Sequence, residues 1–350
     1  MKKYYTRACN FYYGNISKNL IKKKLAYPLC GNNNISFDKV EIFSRINNLV
    51  KKKIIDVKNV KRLPKAIRKK VESDIKIITS NKIFFNNTSI MGILNMTPDS
   101  FSDGGVYNQK NKALKRIKSM INSGADIIDV GGESTRPGSK IISTKKEWKR
   151  IIEIIKNFKK KFTKTKLSVD TRKSEIMEES IKYNADIIND VSCFYFDSDS
   201  INKIKKANIW KVVHHMQGTP QTMQNNPKYK NVLLDIYDFF EKEIKRLKNT
   251  KYSNKIIIDP GIGFGKNLKH NLMLINKISL FHSLGFPILI GTSRKKFISQ
   301  ISKKFDTQER IGGTLSSVLF ALSQGVQIYR VHNIEEVKQA ILVFEKILKQ

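Results

Sequence analysis

The stretch from Ile90 to Gly105 reads IMGILNMTPDSFSDGG and combines several kinds of local structure. Its first five residues are apolar, which is typical of a short buried strand, and the strand ends at the amide side chain of Asn95. The residues that follow favour turns, because Pro fixes its own φ, Asp and Ser bond to nearby backbone, and Gly tolerates positive φ. A helical pattern over Asn111–Asn122 comes next. The stretch therefore predicts one strand, one polar loop and one helix.

The same order of apolar strand, polar tip and amphipathic helix recurs seven more times along the chain. The further strands are predicted at Ala125–Val130, Lys166–Val169, Ala185–Ile188, Ile209–Val213, Lys255–Ile258, Pro287–Ile290 and Gln327–Tyr329. Apolar strands that alternate with helices indicate a parallel sheet covered on its outer face. Eight such units close most simply into a (β/α)8 TIM barrel, an α/β fold that we predict for residues 81–350. An open doubly wound sheet is the alternative, but no GxGxxG motif follows the first strand.

Residues 1–80 differ from the rest of the chain. They contain 20 Lys or Arg residues against 5 Asp or Glu residues, and no motif with a recognisable chemistry. The pattern predicts a strand at Lys39–Phe43, a basic helix at Arg45–Lys53 and a further helix after Pro64. Tyr and Phe are frequent enough for packing, so we predict a small basic N-terminal extension that docks on the barrel. The sequence assigns this extension no role.

Length and composition limit the classes of protein to consider. The chain has 350 residues and is 40% hydrophobic, which is ample for a large core. It lacks an apolar run near the roughly 18 residues of a membrane span, and its first residues lack the apolar segment of a secretory signal. Cys9, Cys30 and Cys193 are too few and too scattered for a disulfide framework or a zinc site. We therefore predict a cytoplasmic protein with no membrane partner.

The net charge of +36 is as high as that of many nucleic-acid-binding proteins. However, Lys dominates over Arg, and the basic residues are spread along the whole chain rather than clustered in one patch. We therefore expect no specific nucleic-acid partner. A field this positive should instead favour anionic small-molecule substrates and speed their arrival.

Polar residues follow the predicted strands at the positions where (β/α)8 barrels place their active sites. They are Asn95, Asp129, Asp170, Asn189, His215, Asp259, Lys295, Arg330 and His332. Among them, Asp170, Asn189 and Asp259 form an acceptor-rich set that needs hydrogen-bond donors between its members. A flat heterocycle with an amino-amidine edge, such as a pterin or guanine, supplies such donors. The alternative role is helix capping, since Asp and Asn are favoured at N-caps.

A second set is basic and follows the last two strands: Lys295, Arg330 and His332. Many barrels bind phosphate in this region, and these side chains could hold an anion by charge-assisted hydrogen bonds. Asn95 is a poor general base but a good ligand for a hard cation such as Mg²⁺ that is shared with a phosphate. His214 and His215 are adjacent, so at most one of them can face the barrel interior. A two-histidine metal site is therefore not expected.

Long motifs at these positions resemble those of the dihydropteroate synthase family. Residues 91–105 (MGILNMTPDSFSDGG) are similar to the first family signature, and residues 129–138 (DVGGESTRPG) are similar to the second. Shorter blocks are similar to the remaining family motifs in the same order, at residues 168–171, 188–191, 259–266, 293–295 and 330–332. The resemblance spans residues 90–335 and does not include residues 1–80.

This resemblance implies a pterin-binding barrel that condenses 6-hydroxymethyl-7,8-dihydropterin diphosphate with 4-aminobenzoate. The products would be 7,8-dihydropteroate and pyrophosphate, in a step of folate biosynthesis that sulfonamides target. The resemblance also implies Mg²⁺ as the cofactor and a homodimer as the assembly.

Carried over motif by motif, the resemblance also assigns the site residues. Pterin binding is implied for Asp170, Asn189, Asp259, Phe264 and Lys295. Diphosphate binding is implied for Asn95, Arg330 and His332, with Mg²⁺ at Asn95. The loops that close over 4-aminobenzoate would contain Asp99, Ser100, Phe101, Thr135, Arg136 and Pro137. The catalytic groups would be Asp170, Asp259, Lys295 and Asn95.

One position departs from the family pattern, since His214 stands where the family usually has Met against the pterin. Two other pterin-binding functions are alternatives. A barrel methyltransferase acting on a folate methyl group would share the pterin residues but should lack the first two signatures, which are present here. A paralogue that binds pterin without catalysis would have the same motifs.

Overall fold

The N-terminal region is built around one long central strand. The computed structural model describes residues 2–80, 88–97, 106–136 and 138–349. The elements of the N-terminal region are β1 (Lys2–Tyr13), α1 (Gly14–Lys22), β2 (Tyr27–Leu29), β3 (Asn32–Ile46), β4 (Leu49–Asp56), a 3-10 helix (Val57–Arg62) and α2 (Lys65–Thr79). Strand β3 pairs antiparallel with each of the other three strands. The helix predicted after Pro64 is confirmed as α2.

The basic helix predicted at Arg45–Lys53 is wrong. These residues lie in a hairpin, in which Ile46 of β3 pairs with Leu49 of β4 across a two-residue turn. Asn47 has a φ of 53° there, a left-handed conformation that Asn tolerates and that such hairpin turns require. Lys51–Lys53 are exposed on β4, whose charge discourages edge-to-edge pairing with another chain. Pairing with β3 therefore makes this segment a β-hairpin, which its local propensity does not predict.

Residues 2–80 contact the barrel through both apolar and charged side chains. Tyr5 and Phe43 belong to the same apolar cluster as the barrel core. The buried carboxylate of Glu41 accepts hydrogen bonds from Arg7 at 2.7 Å and from Lys277 at 2.7 Å. The hydroxyl of Tyr5 donates to Asp238 at 3.0 Å. These contacts lie on the outer helical layer, away from the barrel mouth.

Eight parallel strands alternate with helices, as the sequence predicts. The strands are β5 (Ser89–Asn95), β6 (Ile127–Gly131), β7 (Lys166–Asp170), β8 (Ile187–Asp190), β9 (Trp210–His214), β10 (Ile256–Asp259), β11 (Leu289–Ile290) and β12 (Ile328–Val331). The helices are α3 (Val106–Asn122), α4 (Thr144–Lys161), α5 (Ser174–Lys182), α6 (Ser200–Ile204), α7 (Val232–Leu247), α8 (Leu268–Asn276), α9 (Lys296–Ser302), α10 (Ile311–Leu322) and α11 (Ile334–Leu348). A 3-10 helix (Ile278–Leu284) follows α8.

The strand order closes these strands into a barrel. It runs β10-β9-β8-β7-β6-β5-β12-β11, and a parallel bridge between Ile258 and Ile288 joins the two ends of the sheet. The predicted (β/α)8 barrel is therefore confirmed. In the part of the chain that the structure describes, every helix is too short or too polar to cross a membrane.

Candidate active site

Alternation along the strands places a ring of polar side chains in the barrel mouth. The barrel interior is filled by a separate apolar cluster that includes Ile127, Ile187, Val212, Ile257 and Ile328. Side chains two positions apart on a strand share a face. The residues two positions beyond this cluster are Asp129, Asn189, His214, Asp259 and Arg330, and all of them therefore point inward. Ser168 pairs with Ile187, which places Asp170 on the same inner face.

Arg330 connects two of the carboxylates in this ring. Its Nε donates to Oδ2 of Asp129 at 2.7 Å, and an Nη atom donates to Oδ2 of Asp170 at 2.8 Å. Burial raises the pKa of Asp170, and the positive charge of Arg330 opposes that rise. The same two carboxylates hold the pKa of Arg330 above its usual value. The guanidinium group therefore keeps two buried acids together at the mouth of the barrel.

Asp129 bonds to more side chains of the site than its position in the sequence predicts, since a place at a strand end alone assigns it no role. Its carboxylate also accepts from the Ser168 hydroxyl at 2.6 Å and from Nδ2 of Asn189 at 3.1 Å. Asp129 therefore orients both Arg330 and Asn189. The signal was available, because Asp129 is the charged residue of an otherwise apolar strand, Ile127–Gly131.

Asp259 is held by the loop that follows β10. Its Oδ1 accepts the backbone N–H of Gly261 at 2.8 Å. Gly261 has a φ of +66°, and a Cβ atom there would lie 2.0 Å from the carbonyl oxygen of His215, so only glycine fits this turn. Burial raises the pKa of Asp259 to about 6, although the Gly261 hydrogen bond and nearby Lys295 oppose the rise.

Phe264 and Lys295 form one wall of the mouth. The Lys295 ammonium lies 4.1 Å from the centroid of the Phe264 ring, within the range of a cation–π contact. Burial and the charge of Arg330 lower the pKa of Lys295 to about 8. The structure thus brings Asp170, Asn189, Asp259, Phe264 and Lys295 together, as the motifs predict.

Of the two adjacent histidines, His214 faces the interior. The prediction that His215 belongs to the polar ring is wrong, because β9 continues to His214 and puts His215 on the outer face. There His215 packs edge-to-face against Phe239, with ring centroids 4.9 Å apart, and its Nδ1 lies 3.0 Å from the Lys266 ammonium. The inner position is therefore taken by a residue that the ring of predicted side chains did not include.

His332 is paired with Ser293, which lies in the turn after the neighbouring strand β11. The Ser293 hydroxyl lies 3.0 Å from Nδ1 of His332 and accepts the His332 backbone N–H at 3.3 Å. Since that hydroxyl can donate to Nδ1, the imidazole presents its Nε2–H outward. Burial and the charges of Arg330 and Arg294 lower the pKa of His332 to about 3. His332 is therefore a neutral hydrogen-bond donor, although the sequence pattern predicts it as a member of the basic set with Lys295 and Arg330.

Asn95 ends β5 at the same mouth, opposite Gly131 of β6, and is half-buried. Its amide oxygen is the type of ligand that Mg²⁺ accepts, and Mg²⁺ commonly takes one or two protein ligands plus phosphate oxygens and waters. Within the described ranges, no group of three or more His, Cys, Asp or Glu side chains is arranged to hold a metal. The residues present therefore fit an ion carried largely by a phosphate substrate, not a cage built by the protein.

Comparison with known proteins agrees with these motifs. The sequence model of the pterin binding enzymes matches residues 91–332. The dihydropteroate synthase of Escherichia coli (strain K12) is 40% identical over 275 residues, which is 76% of this chain and 96% of that protein. This chain belongs to the dihydropteroate synthase family.

Solved structures of dihydropteroate synthases have the same fold. The Yersinia pestis enzyme, solved with a sulfonamide drug, is 37% identical with a TM-score of 0.71, and the match covers 75% of this chain and 95% of that one. The Xanthomonas albilineans enzyme, solved with 4-aminobenzoic acid, is 31% identical with a TM-score of 0.70, over 75% and 94%. These family members are matched almost from end to end, so about a quarter of this chain is additional to them.

In this member of the dihydropteroate synthase family, the loop after β6 is anchored by buried ion pairs. Glu133 accepts from Arg172 at 2.6 Å, from Lys173 at 3.1 Å and from the backbone N–H of Ile142 at 2.9 Å. Lys173 also pairs with the buried Glu147. Both ends of the loop are therefore tied to the barrel.

Only part of the predicted 4-aminobenzoate site can be located. Within the anchored loop, Thr135 is half-buried and Arg136 is exposed. The other residues predicted for this site lie outside the described residues, and their roles stay predictions: Asp99, Ser100, Phe101 and Pro137.

Proposed function

We propose that this protein is a dihydropteroate synthase of folate biosynthesis and a sulfonamide target. It condenses 6-hydroxymethyl-7,8-dihydropterin diphosphate with 4-aminobenzoate to give 7,8-dihydropteroate and pyrophosphate. The observation that carries this proposal is the convergence of Asp170, Asn189 and Asp259 on the inner face of one barrel mouth, with Lys295 beside them. Buried acceptors in this arrangement suit the N–H groups of a pterin edge.

The pterin lies among these side chains. Its ring and amino N–H groups donate to Asp170 and Asp259. Asn189 already donates its Nδ2 to Asp129, so its Oδ1 is left to accept from the ligand. The ammonium of Lys295 donates to the pterin carbonyl, and Phe264 is the flat apolar wall.

The diphosphate lies at the basic side of the mouth. Arg330 has one nitrogen atom, Nη1, beyond the two that bond to Asp129 and Asp170, and His332 offers its Nε2–H. Asn95 would hold Mg²⁺, which when bound would supply charge neutralisation for a leaving diphosphate. The contacts from Arg330 and His332, and the charge held at Asn95, would stabilise the negative charge that develops on the departing pyrophosphate.

The reaction replaces one bond at the pterin methylene carbon. The C–O bond to the diphosphate breaks with its electron pair leaving on pyrophosphate, while the 4-aminobenzoate nitrogen attacks the carbon and then loses a proton to solvent. The ionised carboxylate of Asp259 favours the positive charge that develops on the pterin. The loops assigned to Asp99, Ser100, Phe101, Thr135, Arg136 and Pro137 hold 4-aminobenzoate and exclude competing water.

Pyrophosphate release by the purified full chain tests this function. Release should require the pterin diphosphate and 4-aminobenzoate together, stop when EDTA removes Mg²⁺, and resume when Mg²⁺ is restored. A sulfonamide should compete with 4-aminobenzoate. Pterin binding without pyrophosphate release under any of these conditions would overturn the proposal and leave a pterin-binding protein without this activity.

We also propose that the chain forms a homodimer through helices α8 to α10. These helices pack against one another and carry the exposed apolar side chains Leu272, Met273, Ile301 and Phe320, and the exposed Phe305 lies in the segment after α9. Exposed apolar surface of this kind is a common site of self-association. Sedimentation velocity should give twice the chain mass of 40.3 kDa. A monomer at tens of micromolar would exclude the dimer.

A cytoplasmic location completes the proposal. The three cysteines are free thiols in the structure, which suits a reducing compartment. Cell fractionation tests this location, and recovery of the protein in an extracytoplasmic fraction would overturn it.

A further inference from the structure

His214 faces the barrel interior, unlike the residues on either side of it in the sequence. It is the last residue of β9, on the same inner face as Trp210 and Val212, and it is 3% exposed. Its ring packs edge-to-face against Phe264, with centroids 4.6 Å apart. The imidazole is thus part of the wall that lines the pterin site.

The hydrogen bond at Nδ1 fixes the tautomer of His214. Nδ1 lies 3.2 Å from the carbonyl oxygen of Val191, which can only accept a hydrogen bond. That carbonyl is itself fixed, because the Asp190 carboxylate accepts the backbone N–H groups of Ser192 at 2.7 Å and Phe194 at 2.8 Å. Burial, with the charges of Lys266 and Lys295, holds the pKa of His214 well below its usual value. The ring is therefore neutral, with its proton on Nδ1 and a lone pair on Nε2.

That lone pair faces the carboxylate of Asp259. Nε2 of His214 lies 3.9 Å from Oδ2 of Asp259, while Oδ1 is occupied by the Gly261 N–H. Two acceptors therefore point toward the same small space. Neither atom receives a hydrogen bond from another side chain in the part of the chain that the structure describes. The arrangement lacks a donor with two N–H bonds, which a primary amino group on a ligand would supply.

We propose that His214 is a specificity-determining residue, whose Nε2 accepts one N–H of the exocyclic amino group of the pterin while Asp259 accepts the other. This inference rests on the proposed binding of a pterin at Asp259. It makes the site selective for a 2-amino heterocycle over its 2-oxo analogue, because a carbonyl oxygen would face two acceptors and leave both unpaired. Sites built to bond a polar group reject analogues that lack it far more strongly than apolar pockets do.

Direct binding measurements with a pair of ligands test the inference. The probes are 6-hydroxymethylpterin and its 2-oxo analogue, titrated against the full chain by calorimetry. In His214→Met, which removes the acceptor but keeps an apolar side chain of similar volume, the Kd of the pterin should rise about tenfold, in line with the loss of one hydrogen bond. The Kd of the 2-oxo analogue should stay the same or fall. The preference for the amino ligand should therefore drop about tenfold.

His214→Gln is the rescue variant, because its amide oxygen can accept where Nε2 does. It should recover most of the preference, and thermal unfolding would show that both variants are folded. Equal weakening of both ligands in His214→Met, or no change in their ratio, would overturn the inference and leave His214 a packing residue. Since the measurement needs neither 4-aminobenzoate nor turnover, an inactive protein that still discriminates the ligands would overturn only the proposed function.

Discussion

Replacing Asp259 by asparagine is expected to lower kcat/KM for the pterin diphosphate by about 10³-fold. The loss of charge weakens two hydrogen bonds to the ligand edge, each worth about 2 kcal/mol when the acceptor is ionised, and the introduced amide can turn an N–H toward the ligand's own donors. Oδ1 can still accept from Gly261, so the loop should keep its shape. Steady-state pyrophosphate release gives kcat/KM directly. Asp306→Asn, at an exposed aspartate, is the matched control and should leave kcat/KM unchanged.

The same Asp259→Asn substitution should make the ligand-free protein more stable. The folded-state pKa of Asp259 is about 6, whereas an unfolded chain has about 3.9. Since the folded state disfavours the ionised form, the penalty from the carboxylate develops between about pH 4 and pH 6 and is complete above pH 6, so its neutral isostere should add about 3 kcal/mol at pH 8. Near pH 4 the gain should vanish. Urea unfolding at both pH values measures it, and a variant that is less stable at pH 8 would contradict the assignment.

Replacing Arg330 by alanine should have the second large effect, on both activity and stability. Asp129 and Asp170 would be left buried without their shared cation. Breaking a buried ion pair from one side costs about 3 kcal/mol or more, and kcat/KM should fall at least about 10³-fold, because the pterin acceptors lose their geometry and the diphosphate loses a cation.

The sign of the pH dependence separates this explanation from a simple packing defect. Loss of Arg330 removes the charge that opposes the raised pKa of Asp170, so this pKa should rise further. The stability deficit should then be larger at pH 8.5 than at pH 5.5, because Asp170 is protonated at the lower pH with or without Arg330. Arg330→Lys keeps the charge without the two-pronged geometry and should restore stability more than activity. A deficit independent of pH would contradict the account.

Local sequence patterns were sufficient for the barrel because each of its units carries its own signal. An apolar strand of three to six residues, a polar tip and an amphipathic helix are short-range features, and eight in succession leave few arrangements. The error at Arg45–Lys53 has the opposite cause. That segment has basic residues at both ends and little periodicity, so pairing with β3 outweighs its local preference.

By itself the sequence predicted the succession of strands and helices, the family motifs and the acceptor set at the strand ends, Asp170, Asn189 and Asp259. Only the tertiary structure decided which side of each strand faces the interior. It places His214, and not His215, in the barrel mouth. It also decided that Arg330 reaches Asp129 and Asp170 across the barrel. The physical reason is that a shift of one residue at a strand end reverses the face of a side chain. Partners more than a hundred residues apart meet only when the sheet closes.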